Sequence, residues 1–377
     1  MTRNTQLDGL RACAAFAVAV YHTILAFDPS QVQRILSIDI WSISGLYDKI
    51  DKVVLAVVNG QTAVVIFFVL SGAVLFNSLE RHRDGPLITS FDFVVRRCFR
   101  IYPVLIVSLL AFAIVVVCMG GRPSGRQLWT NALLLDNPIQ GESWTLQVEF
   151  LAIPFILLSF YCHRVAGTGG IVAAYLSIWL LFKTPWLSPY LGHPRFYTLC
   201  FVLGFLSTTS AGAWVATQFP VRAWPLVLIV MLGARHVIPV RIFATDIDPI
   251  AIGLLFTSAG LLVTLLYYGR AGRLGLFLQL PVLAYLGRLS YSFYLYNIII
   301  IRILCSVLVR HTSAKEHPLE FGLVTAAVII AITVPIAHLS EKYIERPFIE
   351  LGGRVARIWI KPLCDGTPLA GVSRRWP

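Results

Sequence analysis

Arg11 and His22 are the two residues of this 377-residue chain whose types and spacing most directly offer chemistry. They sit in the stretch Leu7 to Phe27, LDGLRACAAFAVAVYHTILAF, which reads as one apolar helix. At 100° per residue the eleven steps between them come to about 1100°, about 20° past three whole turns, and rise roughly 16 Å. A guanidinium and an imidazole therefore share one helical face. If the helix crosses a bilayer with a hydrocarbon core of roughly 30 Å, Arg11 lies at one rim and His22 near the middle. An ionisable group at that depth is costly unless partnered, and it marks a functional site by default. The competing reading is a helix-packing histidine hydrogen-bonded to a neighbour.

Three further stretches carry polar chemistry in apolar surroundings. Phe93 to Pro103, FVVRRCFRIYP, sets Arg96, Arg97 and Arg100 at i, i+1 and i+4, so Arg96 and Arg100 share a face while Arg97 and Arg100 flank a groove. Their fork-shaped donors suit phosphate oxygens; the alternative is charge snorkelling to lipid headgroups. Glu142 to Phe150, ESWTLQVEF, holds Trp144, which fits an interfacial aromatic belt, and Glu149, about one and a half turns into an apolar segment with Thr145 on the same face. A carboxylate there could orient an imidazole or take a proton from a sugar hydroxyl; the competing role is an ion pair with an arginine of another helix. Tyr285 to Asn297, YLGRLSYSFYLYN, presents Ser290, Tyr291, Ser292, Tyr294, Tyr296 and Asn297. Such a face lines a cavity for a hydroxylated substrate or joins helices by hydrogen bonds. Trp144, Tyr294 and Asn297 are the candidates for substrate contact, and Glu345 beside Arg346 reads as a bridge at the rim.

The elements that must position these groups are membrane helices. Hydrophobic residues make up 57% of the chain and charged residues 13%, about half the share of a soluble domain. Apolar runs extend over Leu10–Phe27, Val53–Leu79, Ile101–Met119, Ser143–Tyr161, Ile171–Phe182, Phe196–Ser207, Trp224–Val240, Pro249–Tyr268, Val282–Val309 and Leu319–Leu339. An all-α, polytopic membrane bundle of about ten transmembrane helices is expected, the fifth and sixth runs being short. Ten spans put both termini on one side. Placing that side in the cytoplasm puts most of the 31 basic residues in inner segments, above all after the second helix and in the tail, as the positive-inside rule requires. The net charge of +12 thus needs no nucleic-acid partner.

The first apolar stretch lacks a clear small-x-small cleavage site and is read as a spanning helix rather than a signal peptide. Asp28 to Lys52 mixes both charges with Trp41 and Tyr47, and is long enough to cap the outer mouth. Residues 1–350 form the membrane domain and 351–377 a basic cytoplasmic tail, interfacial or disordered. The seven cysteines are scattered with no CxxC and no His/Cys cluster, which argues against a disulfide framework and against a metal site.

Taken together, LDGLRA with His22 downstream, FFVLSG, RRCFRIYP, SWTLQVEF, LGRLSYSFYLYN and IERPF resemble, in that order and across nearly the whole chain, the membrane-bound acyltransferase family 3. That group comprises bacterial O-acyltransferases of exopolysaccharides, O-antigens, nodulation factors and macrolides. The resemblance implies that Arg11 and His22 are essential, that Arg97 and Arg100, with Arg96 adjacent, form the arginine motif, and that Glu149 is the glutamate of the WTLxxE stretch. Two positions depart from the family pattern: Ala12 replaces a common glycine, and Asn297 stands where many relatives carry histidine.

The activity implied is an O-acyltransferase, expected to be an O-acetyltransferase of the bacterial inner membrane. It would take acetyl-CoA or another acyl-CoA as donor and a sugar hydroxyl of a glycolipid or polysaccharide as acceptor. Arg11, Arg96, Arg97 and Arg100 would hold the donor phosphates and His22 would act as base or acyl carrier. Glu149 would orient the imidazole or the acceptor. The alternative is a transporter or flippase of a lipid-linked glycan in which His22 and Glu149 relay protons; the paired, interrupted helices of two related halves that it predicts are not found in the sequence.

Overall fold

The computed structural model describes residues 4–82, 84–182, 192–237, 249–311 and 318–364, and among these every regular element is helical. α1 (Thr5–Phe27) begins at Asn4, whose side chain accepts from the amides of Gln6 and Leu7. α2 (Pro29–Ser37) and α3 (Leu46–Val57) follow, and then α4 (Gly60–Leu79), capped by Asn59. α5 (Pro86–Cys118) carries the arginine motif and contains Pro103. α6 (Gly125–Ala132) and the short α7 (Trp144–Leu151) lead into α8 (Ile153–Phe182). α9 (Gly192–Ser207), α10 (Ser210–Gln218), α11 (Trp224–Val237), α12 (Pro249–Tyr267) and α13 (Gly272–Leu278) precede the long α14 (Pro281–His311). α15 (Pro318–Ser340) passes through a π-helical turn, Glu341–Glu345, into α16 (Arg346–Cys364).

Seven helical segments of the described residues are long and apolar enough to cross a membrane, or eight if the pair α9–α10, bent by 83°, is one span. Trp224–Ala234 is a shorter apolar helix. The expected count of ten is not reproduced by this measure, for local reasons. The fourth and fifth apolar runs lie in one helical segment broken at Ala166 and Gly167, where Gly167 takes φ 57° and ψ −144°, a conformation glycine tolerates at no steric cost. The second run is two helices, interrupted where Asn59 caps α4. The seventh run ends in residues outside those described. The third begins fifteen residues earlier than hydropathy places it, because Pro86 starts a helix that carries the polar arginine motif as its first turns.

α1 is the axis of the bundle, packed along α14, α15 and α4. Its small residues allow this: Ala15 and Ala19 are fully buried against Leu289, Phe293 and Ala337. At the start of α14 the contact is backbone to backbone, since a Cβ on Gly287 would lie 1.9 Å from the carbonyl oxygen of Asp8. A similar approach joins α4 to α9, where a Cβ on Gly204 would lie 2.2 Å from the Val69 carbonyl oxygen. Close approach through small residues is the usual way to gain packing energy where lipid is as apolar as the side chains.

The segment after α1 is ordered by charge. The ammonium of Lys52, fully buried, donates to the carbonyls of Ile35, Leu36 and Ile38 at 2.9, 3.0 and 2.7 Å. These are the unpaired carbonyls at the end of α2. Arg34 pairs with Asp48 at 2.9 Å, so α2 and α3 are clamped together as a cap on one end of the bundle. Residue 351 lies inside α16, which packs on α5 with Gly352 against Phe99. Residues 365–377 lie outside those described.

Lys52→Met should leave the carbonyls of Ile35, Leu36 and Ile38 without this donor, at about 1–3 kcal/mol, and lower the apparent melting temperature of the protein in detergent. An unchanged melting curve would show that the cap does not depend on this contact.

Candidate active site

The arginine motif faces inward because of where it lies on α5. Arg97 and Arg100, three residues apart, both line a narrow slot of about 110 Å³, together with Arg11, Ser71, Thr145, Glu149, Tyr291 and Tyr294. Arg97 is buried, and its Nη2 lies 3.4 Å from Glu149 Oε2. Ser71 of the FFVLSG stretch donates its hydroxyl to the other carboxylate oxygen of Glu149. The Nε of Arg97 is buried without a hydrogen-bond partner. The slot is therefore built around a largely buried ion pair, with a donor to spare.

Arg96 is elsewhere. Its Nε lies 2.8 Å from both carboxylate oxygens of Asp92, one turn earlier on α5, and its guanidinium passes Gly353 of α16. It lines neither the slot nor the chamber behind it, so it does not join Arg97 and Arg100 in contacting a ligand there. One residue of helix is 100° of rotation, which is enough to send adjacent arginines to different neighbours.

The slot opens into a larger chamber of about 820 Å³; Arg11, Val74 and Arg100 line both. Arg81, Arg288 and Arg346 join the lining of the chamber, with Tyr267 and Tyr268. Arg346 was read from the sequence as part of a bridge at the rim, while Arg81 and Arg288 were not singled out. Arg81 lies just beyond α4 and Arg288 in the LGRLSYS stretch, and the expected excess of basic residues at one end of the helices was the available signal. Arg11 is 3.9 Å from Asp8, one turn earlier. Arg346 pairs with Glu341 at 2.9 Å rather than with its neighbour Glu345, which accepts from Ser292 at 3.0 Å.

His22 lines a third cavity, of about 600 Å³, at the far end of the face it shares with Arg11. Phe112, Ile139, Glu142, Ile298, Ile301 and Arg302 are among its walls. Glu142 is the only carboxylate among the described residues that line it. Of the two readings of Glu149, the ion pair with an arginine of another helix is the one present, and the carboxylate that shares the cavity of His22 is Glu142, seven residues earlier in the same stretch. α7 starts only at Trp144, so Glu142 belongs to the 3₁₀ turn Gly141–Ser143 ahead of it, while Glu149 points to α5.

Between slot and histidine cavity stands Tyr294. Its Oη lies 3.0 Å from Thr145 Oγ1 and donates to the Glu142 carbonyl at 2.7 Å. Tyr294 lines the slot and Glu142 the histidine cavity, so this hydrogen-bonded knot is the partition between them. The other two residues expected to touch substrate line none of the three cavities. Trp144 packs against Phe68 and Tyr197, with ring centroids 6.2 and 5.4 Å away. Asn297 is fully buried with both amide atoms unpaired.

Removing one member of the Arg97–Glu149 pair should destabilise the protein by about 3–5 kcal/mol, because an uncompensated charge stays buried. Arg97→Met and Glu149→Leu are each expected to melt well below the parent in detergent, and the double variant to recover most of the loss. A double variant no better than the worse single one would show that the two charges do not compensate each other.

Residues 4–339 match the acyltransferase 3 family, described as an acyltransferase domain. No curated protein and no solved structure matches the chain. The family match covers every residue of the slot and of the histidine cavity, and the long apolar helices around them are those of a multi-pass membrane protein. The chain belongs to the acyltransferase 3 family and is a membrane acyltransferase.

Proposed function

We propose that the protein transfers an acyl group, most simply acetyl, from acyl-CoA to a sugar hydroxyl of a glycolipid or surface polysaccharide at the bacterial inner membrane. One observation carries this reading: an arginine-lined chamber continues into a narrow slot that ends at Tyr294, with a histidine cavity on the other side of that residue. A donor with an anionic head and a long flexible arm fits the chamber and the slot. An acceptor fits the histidine cavity. Both termini, and the arginine end, would face the cytoplasm where acyl-CoA is found.

In the direct form of the reaction the imidazole of His22 takes the proton of the acceptor hydroxyl while that oxygen attacks the thioester carbonyl. The carbon–sulfur bond breaks, the thiolate of coenzyme A leaves, and the imidazolium returns the proton to it. In the covalent form the imidazole attacks first and the acceptor then takes the acyl group from it. Glu142, the carboxylate that shares the cavity, serves either form as a positioning residue for the imidazole. Arg97 and Glu149 serve the donor side, where the pair shapes the slot.

A transporter that relays protons between His22 and Glu149 draws no support from this arrangement, since the two line different cavities and Glu149 is held by Arg97.

His22→Ala should abolish transfer of radiolabelled acetyl groups to membrane glycans while leaving the amount of inserted protein and its coenzyme A binding unchanged. Glu142→Gln should lower the turnover rate roughly tenfold to a thousandfold with little change in donor affinity, and Glu149→Gln should not reproduce that pattern. Transfer retained by His22→Ala at more than a small fraction of the parent rate would sink the reading.

A further inference from the structure

The chamber at the arginine end has an unequal charge account. Among the described residues three carboxylates line it, and each is engaged: Asp8 with Arg11, Glu341 with Arg346 and Glu345 with Ser292. Three guanidinium groups in the same lining, Arg81, Arg100 and Arg288, make no ion pair with a carboxylate among the described residues. They come from separate elements: the turn after α4, the first half of α5 and the start of α14. Arg288 lies over the Tyr285 ring, 5.4 Å from its centroid, which keeps its stem against the protein.

Opposite charges are accompanied by an aromatic corner. Tyr267 and Tyr268, both in the lining, have ring centroids 5.0 Å apart and planes at 77°. The corner is tied down, because Tyr268 donates its hydroxyl to the Thr209 carbonyl at 3.0 Å and the Tyr267 carbonyl accepts from Asn4 Nδ2 at 3.3 Å. A planar base packs on such rings face to face or edge to face. At about 820 Å³ the chamber is within the size range of cofactor sites. A single lipid phosphate would need neither three free guanidinium groups nor the aromatic corner.

Building on the acyl-CoA reading, we propose that this chamber recognises the 3′-phosphorylated adenosine end of coenzyme A, and so selects free coenzyme A thioesters over acyl groups carried on the bare phosphopantetheine of a carrier protein. Coenzyme A has three phosphoryl groups, two in its diphosphate and one at the 3′ position. Arg100, which lines both chamber and slot, takes the diphosphate at the point where the pantetheine arm enters. Arg81 and Arg288 take the 3′-phosphate, and the tyrosine corner takes the adenine. Arg97 then lies beyond the phosphates, along the arm.

The test is a binding titration of the purified full-length protein in nonionic detergent with coenzyme A, 3′-dephospho-coenzyme A, adenosine 3′,5′-bisphosphate and 4′-phosphopantetheine. The parent should bind coenzyme A at least about tenfold tighter than the 3′-dephospho form, and the bisphosphate should compete. Arg81→Gln and Arg288→Gln should each weaken coenzyme A about tenfold, remove most of its advantage over the 3′-dephospho form and leave 4′-phosphopantetheine unaffected. Tyr268→Leu should weaken coenzyme A and the bisphosphate together. Arg81→Lys, which keeps the charge, should retain part of the preference and guards against misfolding as the cause. Equal affinity of the parent for coenzyme A and its 3′-dephospho form would overturn the proposal while leaving the acyl-CoA reading intact. So would glutamine variants that bind coenzyme A normally but lose association with vesicles of phosphatidylglycerol, which would assign the arginines to lipid headgroups. No binding of coenzyme A by the folded parent would overturn both.

Discussion

An ion pair between Arg97 and Glu149, largely buried and joined by the hydroxyl of Ser71, is the constraint around which this bundle is arranged. Two charges removed from water cost several kcal/mol each, and their attraction offsets this only when geometry and further hydrogen bonds are good. The pair ties α5, α7 and α4 to one point and fixes which face of α5 looks inward. Arg100 then falls on the slot and Arg96 falls outside it, against Asp92 and α16. The result of such a pairing is a polar path through apolar helices, wide enough for a flexible chain.

How much of this could be read from the residues follows from the range of the interactions concerned. The shared face of Arg11 and His22 is local geometry of one regular helix, and the structure places them as the 100° rule requires, at the two ends of that face. Thr145 and Glu149, four apart on α7, also line one slot. Partners on different helices were beyond that rule. Glu149 met Arg97 instead of His22, Arg96 parted from its neighbours, and Arg346 chose Glu341 over the adjacent Glu345. Each depends on helix rotation and register, which are set by packing that hydropathy does not record.

The same limit explains the helix boundaries. Apolar runs located the spans, but the polar first turns of α5 and the amphipathic α16 are helix without being apolar, and the breaks at Asn59 and Gly167 are stops inside or between apolar runs. Asn297 is the residue that sequence and structure both leave strange, with its amide buried and unpaired in α14. No contact in the structure explains it.

The knot of Tyr294, Thr145 and the Glu142 carbonyl has a consequence for the cell as well as for the reaction. On the proposed topology the chamber and the histidine cavity open toward opposite faces of an energised membrane, where each elementary charge that crosses carries about 2.3 kcal/mol per 100 mV. Two wet cavities in line would be an ion leak, a drain on the proton gradient in every cell that makes the protein. Tyr294, its hydroxyl bonded to the Glu142 carbonyl, stands in that line and has to swing aside only for acyl transfer. The membrane can thus hold its potential across a protein that is hollow from both ends.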